Sequence, residues 1–131
     1  MQDSNPVGFV FSRFLDARFL DELFEGDTSY AQIVFEDFLR DLPEYWKDVQ
    51  GAYDKQDINN LRTSIHKCKT LFGYVGFSDI QQLCQEFENN CSGQSIDLGS
   101  GFEILLAKKE QARQVIENEY ERLKLFNDPV S

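Results

Sequence analysis

A chain of 131 residues, 41% apolar and 14% aromatic with twelve phenylalanines, is long and apolar enough to close one core without disulfide or metal staples, which excludes a disordered chain. Its 23 acidic residues outweigh 13 basic ones and leave a formal net charge of −10, arguing against nucleic acid and anionic membranes, both of which select a positive surface. A monomer with a basic or mixed-charge protein partner suits that acidity better.

The N-terminus, MQDSNPVGFVFSRF, has no basic leader and only a short apolar run, and 18 consecutive apolar residues occur nowhere, so neither signal peptide nor membrane span is expected and the location is read as cytoplasmic. After Pro6 and Gly8 come Phe9, Val10, Phe11 and Phe14, which could cover the end of a bundle or form a docking patch. Covering is the reading preferred for residues 1–15, because apolar side chains mostly end up inside. A short helix is expected over 16–24, with Ala17, Leu20, Leu23 and Phe24 on one side and Gly26 stopping it.

Asp27, Thr28 and Ser29 offer N-cap oxygens for a second helix, whose seam reads Phe35, Phe38, Leu42, Tyr45, Val49 and Ala52. Pro43 removes the hydrogen bond to the Leu39 carbonyl, which predicts a kink or a local break. A third helix follows a turn at 54–57, with Ile58, Leu61, Ile65, Cys68, Phe72 and Val75 at spacings of 3, 4, 3, 4 and 3. Its other face carries Asn59, Arg62, Thr63, His66, Lys69, Thr70 and Gly73.

His66 is the only histidine, and no carboxylate occurs from Ile58 through Ser78. Arg62 lies one turn before it, Lys69 one turn after, and Lys67 adjoins it, so like charge is expected to hold the ring in its neutral, nucleophilic form. The same cations suit a phosphoryl group, which brings negative charge and three acceptor oxygens. Gly73 is expected to leave that face bare for the backbone of another protein.

Ser78 and Gln81 read as a capping box opening a fourth helix with Ile80, Leu83, Cys84, Phe87 and Cys91. A glycine- and serine-rich loop over 89–101 leads to a last helix over 102–126, with Leu105, Ala112, Val115, Ile116, Leu123 and Phe126 inside and an Arg113–Glu117 pair outside, before a tail at 127–131. Cys68, Cys84 and Cys91 form no C-x-x-C pair and are read as reduced, buried hydrophobes, with no metal site among them. No alternating run of strand formers appears. The fold class is therefore all-α, an antiparallel up-down four-helix bundle with a short extra N-terminal helix capping one end.

Catalytic equipment is sparse. There is no Ser-His-Asp set, no glycine-rich phosphate loop and no carboxylate cluster for metal. Taking a phosphoryl group from ATP requires a nucleotide cradle and a magnesium site, so any phosphoryl donor and any metal must come with another protein.

The run His66-Lys67-Cys68-Lys69-Thr70-Leu71-Phe72-Gly73-Tyr74-Val75-Gly76 resembles the signature of histidine-containing phosphotransfer (HPt) domains, roughly H-x-L-K-G followed ten residues after the histidine by glycine. Residues 19–27 and 38–44 look like the first two helices of that family and Leu83-Cys84-Gln85-Glu86-Phe87-Glu88 like the fourth, so the likeness spans 16–126. The resemblance implies a stand-alone phosphorelay carrier, not an enzyme. His66 would accept a phosphoryl group from a receiver-domain aspartate of a hybrid sensor kinase and pass it to a response regulator, and Lys69 would stabilise its charge. It implies no cofactor on this chain, magnesium being supplied by the receiver, and docking through Arg62, Thr63, Lys67, Thr70 and Gly73. Thr70 stands where the family usually has glycine and Cys68 where it usually has leucine. The alternative is a helical adaptor that binds a receiver or kinase and moves no phosphate.

Overall fold

Three of the helices begin at an aspartate whose side chain accepts from a backbone amide three residues on: Asp16 from Phe19 (3.2 Å), Asp27 from Tyr30 (3.0 Å) and Asp57 from Asn60 (3.2 Å). In the computed structural model, which describes residues 8–93 and 97–129, these open α1 (Ala17–Phe24), α2 (Thr28–Asp54) and α3 (Ile58–Tyr74), followed by α4 (Ser78–Cys91) and α5 (Gly99–Asn127). Pro6 and the last two residues of the tail lie outside the described residues. No strand occurs among those described, and no helix is long and apolar enough to cross a membrane. α2 packs against α3 and α5, α4 packs against the same two, and α1 lies on α2.

The four long helices thus enclose one core in which Phe35, Phe38, Leu42, Leu61, Ile65, Phe72, Ile116 and Leu123 are all but inaccessible. Expected apolar faces shift in four helices: Leu23 in α1 and Phe126 in α5, both expected on the inner side, are 40% and 41% exposed, and the rows of α2 and α3 move. In α2 the buried residue after Leu42 is Trp46, with Tyr45 half-buried, because a step of four keeps the row on the inward face. In α3 the row starts at Leu61, and Ile58, in the first turn, is 38% exposed. Pro43 breaks nothing: α2 runs through it as one helix, with Leu42 and Trp46 buried on either side to hold it.

Residues 9–15 return over α5. Phe11 and Leu15 are buried, Phe11 lies 6.0 Å from both Phe24 and Phe35 between ring centroids, and Phe9 meets Phe126 edge-on at 5.4 Å. Glu119 is 2% exposed, accepts from the Ser12 amide at 2.7 Å and is paired with Arg122. Arg122 also donates to the Val10 carbonyl at 2.8 Å and lies 4.7 Å over the Phe9 ring.

The expected capping box is absent. Phe77 is the N-cap of α4 and makes no side-chain cap bond, while Ser78 instead donates to Asp16 at 3.1 Å. That diversion ties α1 to the α3–α4 turn, as does the Asp16 amide donating to the Gly76 carbonyl at 2.7 Å. Gly76 has φ +86°, and a Cβ there would stand 2.9 Å from Leu20 Cδ1 and 3.3 Å from the Asp16 amide nitrogen. Leu20 is fully buried and cannot swing away. Gly76→Ala should therefore cost about 2 kcal/mol, combining the left-handed backbone penalty with overpacking. Urea unfolding measures it, and an unchanged midpoint would mean that α1 does not pack on this turn in solution.

All three cysteines are free thiols in the core. Burial pushes the Cys68 and Cys84 thiols up to about 12, and it raises that of Cys91 against the nearby Arg62. Because the thiolate is the reactive species, Cys68 and Cys84 should resist alkylation in native protein at neutral pH and react readily in denaturant. Alkylation at the denatured rate under native conditions would contradict this core.

Candidate functional site

The helical pitch that buries Ile65 and Cys68 turns His66, between them, outward. Its side chain is 60% exposed at the margin where α3 meets α4. On α4, burial of Cys84, Phe87 and Cys91 leaves Gln85 and Glu88 on the edge toward α3. There Glu88 Oε1 lies 2.9 Å from His66 Nδ1, and Glu88 Oε2 lies 2.9 Å from Lys69 Nζ. Lys69 Nζ also donates to Gln85 Oε1 at 2.7 Å, and the Gln85 amide donates to Asn89 Oδ1 at 3.0 Å. Glu88 and Lys69 are 12% and 16% exposed, so the ion pair is largely sheltered beneath the open imidazole.

The nearest charge to the ring is thus a carboxylate, opposite in sign to the cationic surroundings expected from α3 alone. The three cations separate. Arg62 donates to Ser92 Oγ at 3.0 Å, Lys69 turns to Glu88 and Gln85, and Lys67 lies with Thr63 along the groove between α2 and α3, beside Lys47 and Asp48. Both hydroxyls are turned back on their own helix, Thr63 Oγ1 donating to the Asn59 carbonyl at 3.0 Å and Thr70 Oγ1 to the His66 carbonyl at 3.4 Å.

Gly73 is covered from within the chain. A Cβ there would stand 2.5 Å from Gln81 Nε2, so the missing side chain makes room for Gln81 of α4. Phe19 and Tyr74, 40% and 54% exposed, border the same shallow hollow together with Thr70 and Ser78.

Glu88 and Gln85 are the two residues at this site that the sequence did not assign. They stand 22 and 19 residues beyond the histidine on another helix, where no spacing rule pairs them with it. The available signal was the α4 seam, which leaves both polar residues beside buried ones.

Chemically, a histidine with a carboxylate on Nδ1 resembles two-thirds of a nucleophilic triad. The third member is missing, since the neighbouring hydroxyls face their own backbone. The ring itself is the accessible nucleophile, with an ammonium one turn away. No group of three or more His, Cys, Asp or Glu side chains able to hold a metal occurs among the described residues.

Among known families, the model described as Hpt domain matches residues 34–125, from the first third of α2 almost to the end of α5. That range holds His66, Lys69, Gln85 and Glu88 and leaves out α1. No curated protein and no solved structure matches the chain.

Proposed function

Because this chain belongs to the Hpt domain family, whose role is histidine phosphotransfer in two-component phosphorelays, we propose that His66 is its phospho-acceptor and that Lys69 stabilises the group it carries. The observation that carries this reading is the imidazole of the only histidine, 60% exposed on the α3 surface with an ammonium one turn away. The donor is an acyl phosphate on a receiver-domain aspartate of a hybrid sensor kinase, and the acceptor is the receiver domain of a response regulator. Magnesium belongs to those receivers. The four long helices are taken to alternate in direction, which the short connections α2–α3 and α3–α4 support.

Transfer begins with the phosphoryl phosphorus in line with a ring nitrogen. The P–N bond forms as the P–O bond to the aspartate breaks, and the electron pair leaves with the aspartate carboxylate. Phosphoryl transfer demands positioning and charge stabilisation more than covalent machinery. This chain supplies a nucleophile on a rigid helix and one ammonium. An ammonium has three N–H donors, so Lys69, hydrogen-bonded to Gln85 and ion-paired with Glu88, still has donor capacity for a phosphoryl oxygen. Docking uses the His66 face, with Arg62 and Thr70 flanking the histidine along α3 and the exposed rings of Phe19 and Tyr74 at its edge; Gly73, expected on that face, is filled by Gln81 instead.

The test is incubation with a receiver domain phosphorylated on aspartate with labelled phosphate. Label should move to this chain in an acid-labile, base-stable form, as expected of a phosphoramidate. Stable binding of receiver with no label transferred would instead identify a helical adaptor.

A further inference from the structure

The apolar residues expected to cover the end of the bundle divide into two sets. Phe9 and Phe11 turn inward, whereas Val10 and Phe14 stand 72% and 65% exposed. These two border a hollow of about 380 Å³ against α5, whose far wall is Val115, Asn118 and Arg122. Leu125, 60% exposed, extends that wall, the four α5 residues following one another at spacings of 3, 4 and 3. Exposed apolar side chains gathered on one face, unlike single ones, mark a surface that is covered in use.

The face is held in shape before any partner arrives. Glu119 accepts from the Ser12 amide at 2.7 Å and Arg122 donates to the Val10 carbonyl at 2.8 Å, so the segment presenting Val10 and Phe14 is pinned to α5 at two backbone groups. Preorganisation of this kind lowers the ordering cost of binding. Its charge also runs against that of the whole chain, which is −10. The one carboxylate bordering the hollow among the described residues, Glu119, is buried and paired with Arg122. The Arg122 side chain is itself 48% exposed, and the Arg13 guanidinium lies 5.6 Å from the centroid of the Phe14 ring. Apolar side chains, two arginines and no accessible carboxylate therefore meet here.

We propose that this face is a docking site for an acidic amphipathic helix of another protein, an anchor that holds the chain while leaving His66 free. Apolar side chains of the helix fill the hollow, and carboxylates flanking them meet Arg13 and Arg122. A second copy of the chain fits less well: a two-fold pairing joins two chains of net charge −10 and brings no carboxylate to either arginine.

Position separates the anchor from the phospho-acceptor. α3 does not pack on α5 among the described residues. Phe87, beside the Glu88 that contacts His66, meets Phe102 of α5 at 6.5 Å, which sets the level of the histidine along the bundle. Val115 and Arg122 follow Phe102 by 13 and 20 residues, roughly 20 to 30 Å at the helical rise. The segment carrying Val10 and Phe14 also precedes the family match at 34–125, so anchoring goes beyond the carrier reading.

The probe is a synthetic amphipathic peptide with a leucine stripe flanked by glutamates, compared with the same peptide carrying lysines in their place. Titrated into the isotope-labelled full chain, the glutamate peptide should move the NMR signals of Val10, Phe14, Asn118 and Arg122 and leave those of His66 in place. The lysine peptide should move none of them. Phe14→Ser should weaken binding about 10-fold, as expected for the loss of an aromatic anchor. Arg13→Glu should reverse the preference between the peptides, and both residues are exposed, so the fold is kept. Saturating glutamate peptide should leave phosphoryl uptake from a labelled receiver unchanged.

No binding at millimolar peptide, equal binding of both peptides, or signal changes centred on His66 would overturn the proposal. So would changes at Val10 and Phe14 that track the chain's own concentration, which assign the face to a second copy, or that require anionic phospholipid vesicles, which assign it to a membrane. Peptide binding is read without phosphate. A failure of the carrier reading, with no label taken up whether or not peptide is present, is thus distinguishable from a failure of this one.

Discussion

Replacing His66 with glutamine should abolish phosphoryl uptake while leaving the fold unchanged. The loss is expected to be complete, because an amide nitrogen has no free lone pair with which to form a P–N bond and the chain contains no second imidazole. No nearby group is placed to take over: the Thr63 and Thr70 hydroxyls donate to backbone carbonyls of their own helix, and the Cys68 thiol is fully buried and pushed up to about 12 by that burial. The structural effect is small, since the ring is 60% exposed and its one direct polar contact is the hydrogen bond to Glu88. Glu88 keeps Lys69 as its ionic partner, so stability should change by no more than about 1 kcal/mol. The assay is transfer from a labelled receiver, with circular dichroism and Trp46 fluorescence as controls; Trp46 is the only tryptophan and is buried. Undiminished labelling of the His66→Gln protein would place the acceptor elsewhere.

The largest effect on stability is expected far from that site. Arg122→Met should lower the free energy of unfolding by about 3 kcal/mol, the lower part of the range for stranding one member of a buried ion pair. Glu119 is 2% exposed, and Arg122 is the cation bound to it. Methionine preserves much of the side-chain bulk, but it leaves the Glu119 carboxylate with only the Ser12 amide and leaves the Val10 carbonyl without its donor. It also removes the guanidinium over the Phe9 ring, and with it a major tie holding residues 9–12 on α5. For a domain of this size that loss should appear as a drop in Tm of roughly 10 °C. Glu119→Gln should cost less, because the amide oxygen still accepts from Ser12 and no buried charge is stranded. Arg122→Met with stability within about 0.5 kcal/mol of the natural protein would show that the N-terminal segment contributes nothing to the fold.

The second prediction concerns a joint between the matched range and the segment that precedes it. The Hpt match begins at residue 34, so α1 and the segment before it lie outside the matched range. They are nonetheless built into the core through Phe11, Leu15, Leu20 and Phe24, all buried. Gly76 connects the two parts. In the signature it is the glycine ten residues after the histidine, and in the structure its positive φ and missing side chain let the start of α1 approach. In this chain the lack of a side chain at Gly76, ten residues after His66, is thus explained by packing.

Much of the architecture was legible because helices declare themselves locally. Apolar residues three and four apart announce α2, α3 and α4, and aspartates mark the starts of α2 and α3. The errors came where two elements compete for one residue. Ser78 and Gln81 satisfy the capping-box pattern, yet Ser78 turns to Asp16 and Gln81 lies over Gly73, because a long-range partner won each side chain. Pro43 predicts a kink or a local break, and of the two the break does not occur, with buried residues flanking the proline in one continuous α2.

The sequence by itself determined that this protein is helical, that His66 lies on the outward face of its helix, and that Lys69 follows one turn later. Each of these depends on the 3.6-residue pitch, a property of neighbours in the chain. Only the tertiary structure decided what meets the ring. Arg62 and Lys67, adjacent in the helix, go elsewhere, and a carboxylate 22 residues away arrives through the packing of α4 on α3. Electrostatic surroundings are set by distance in space, and helix spacing reports that distance only within one helix.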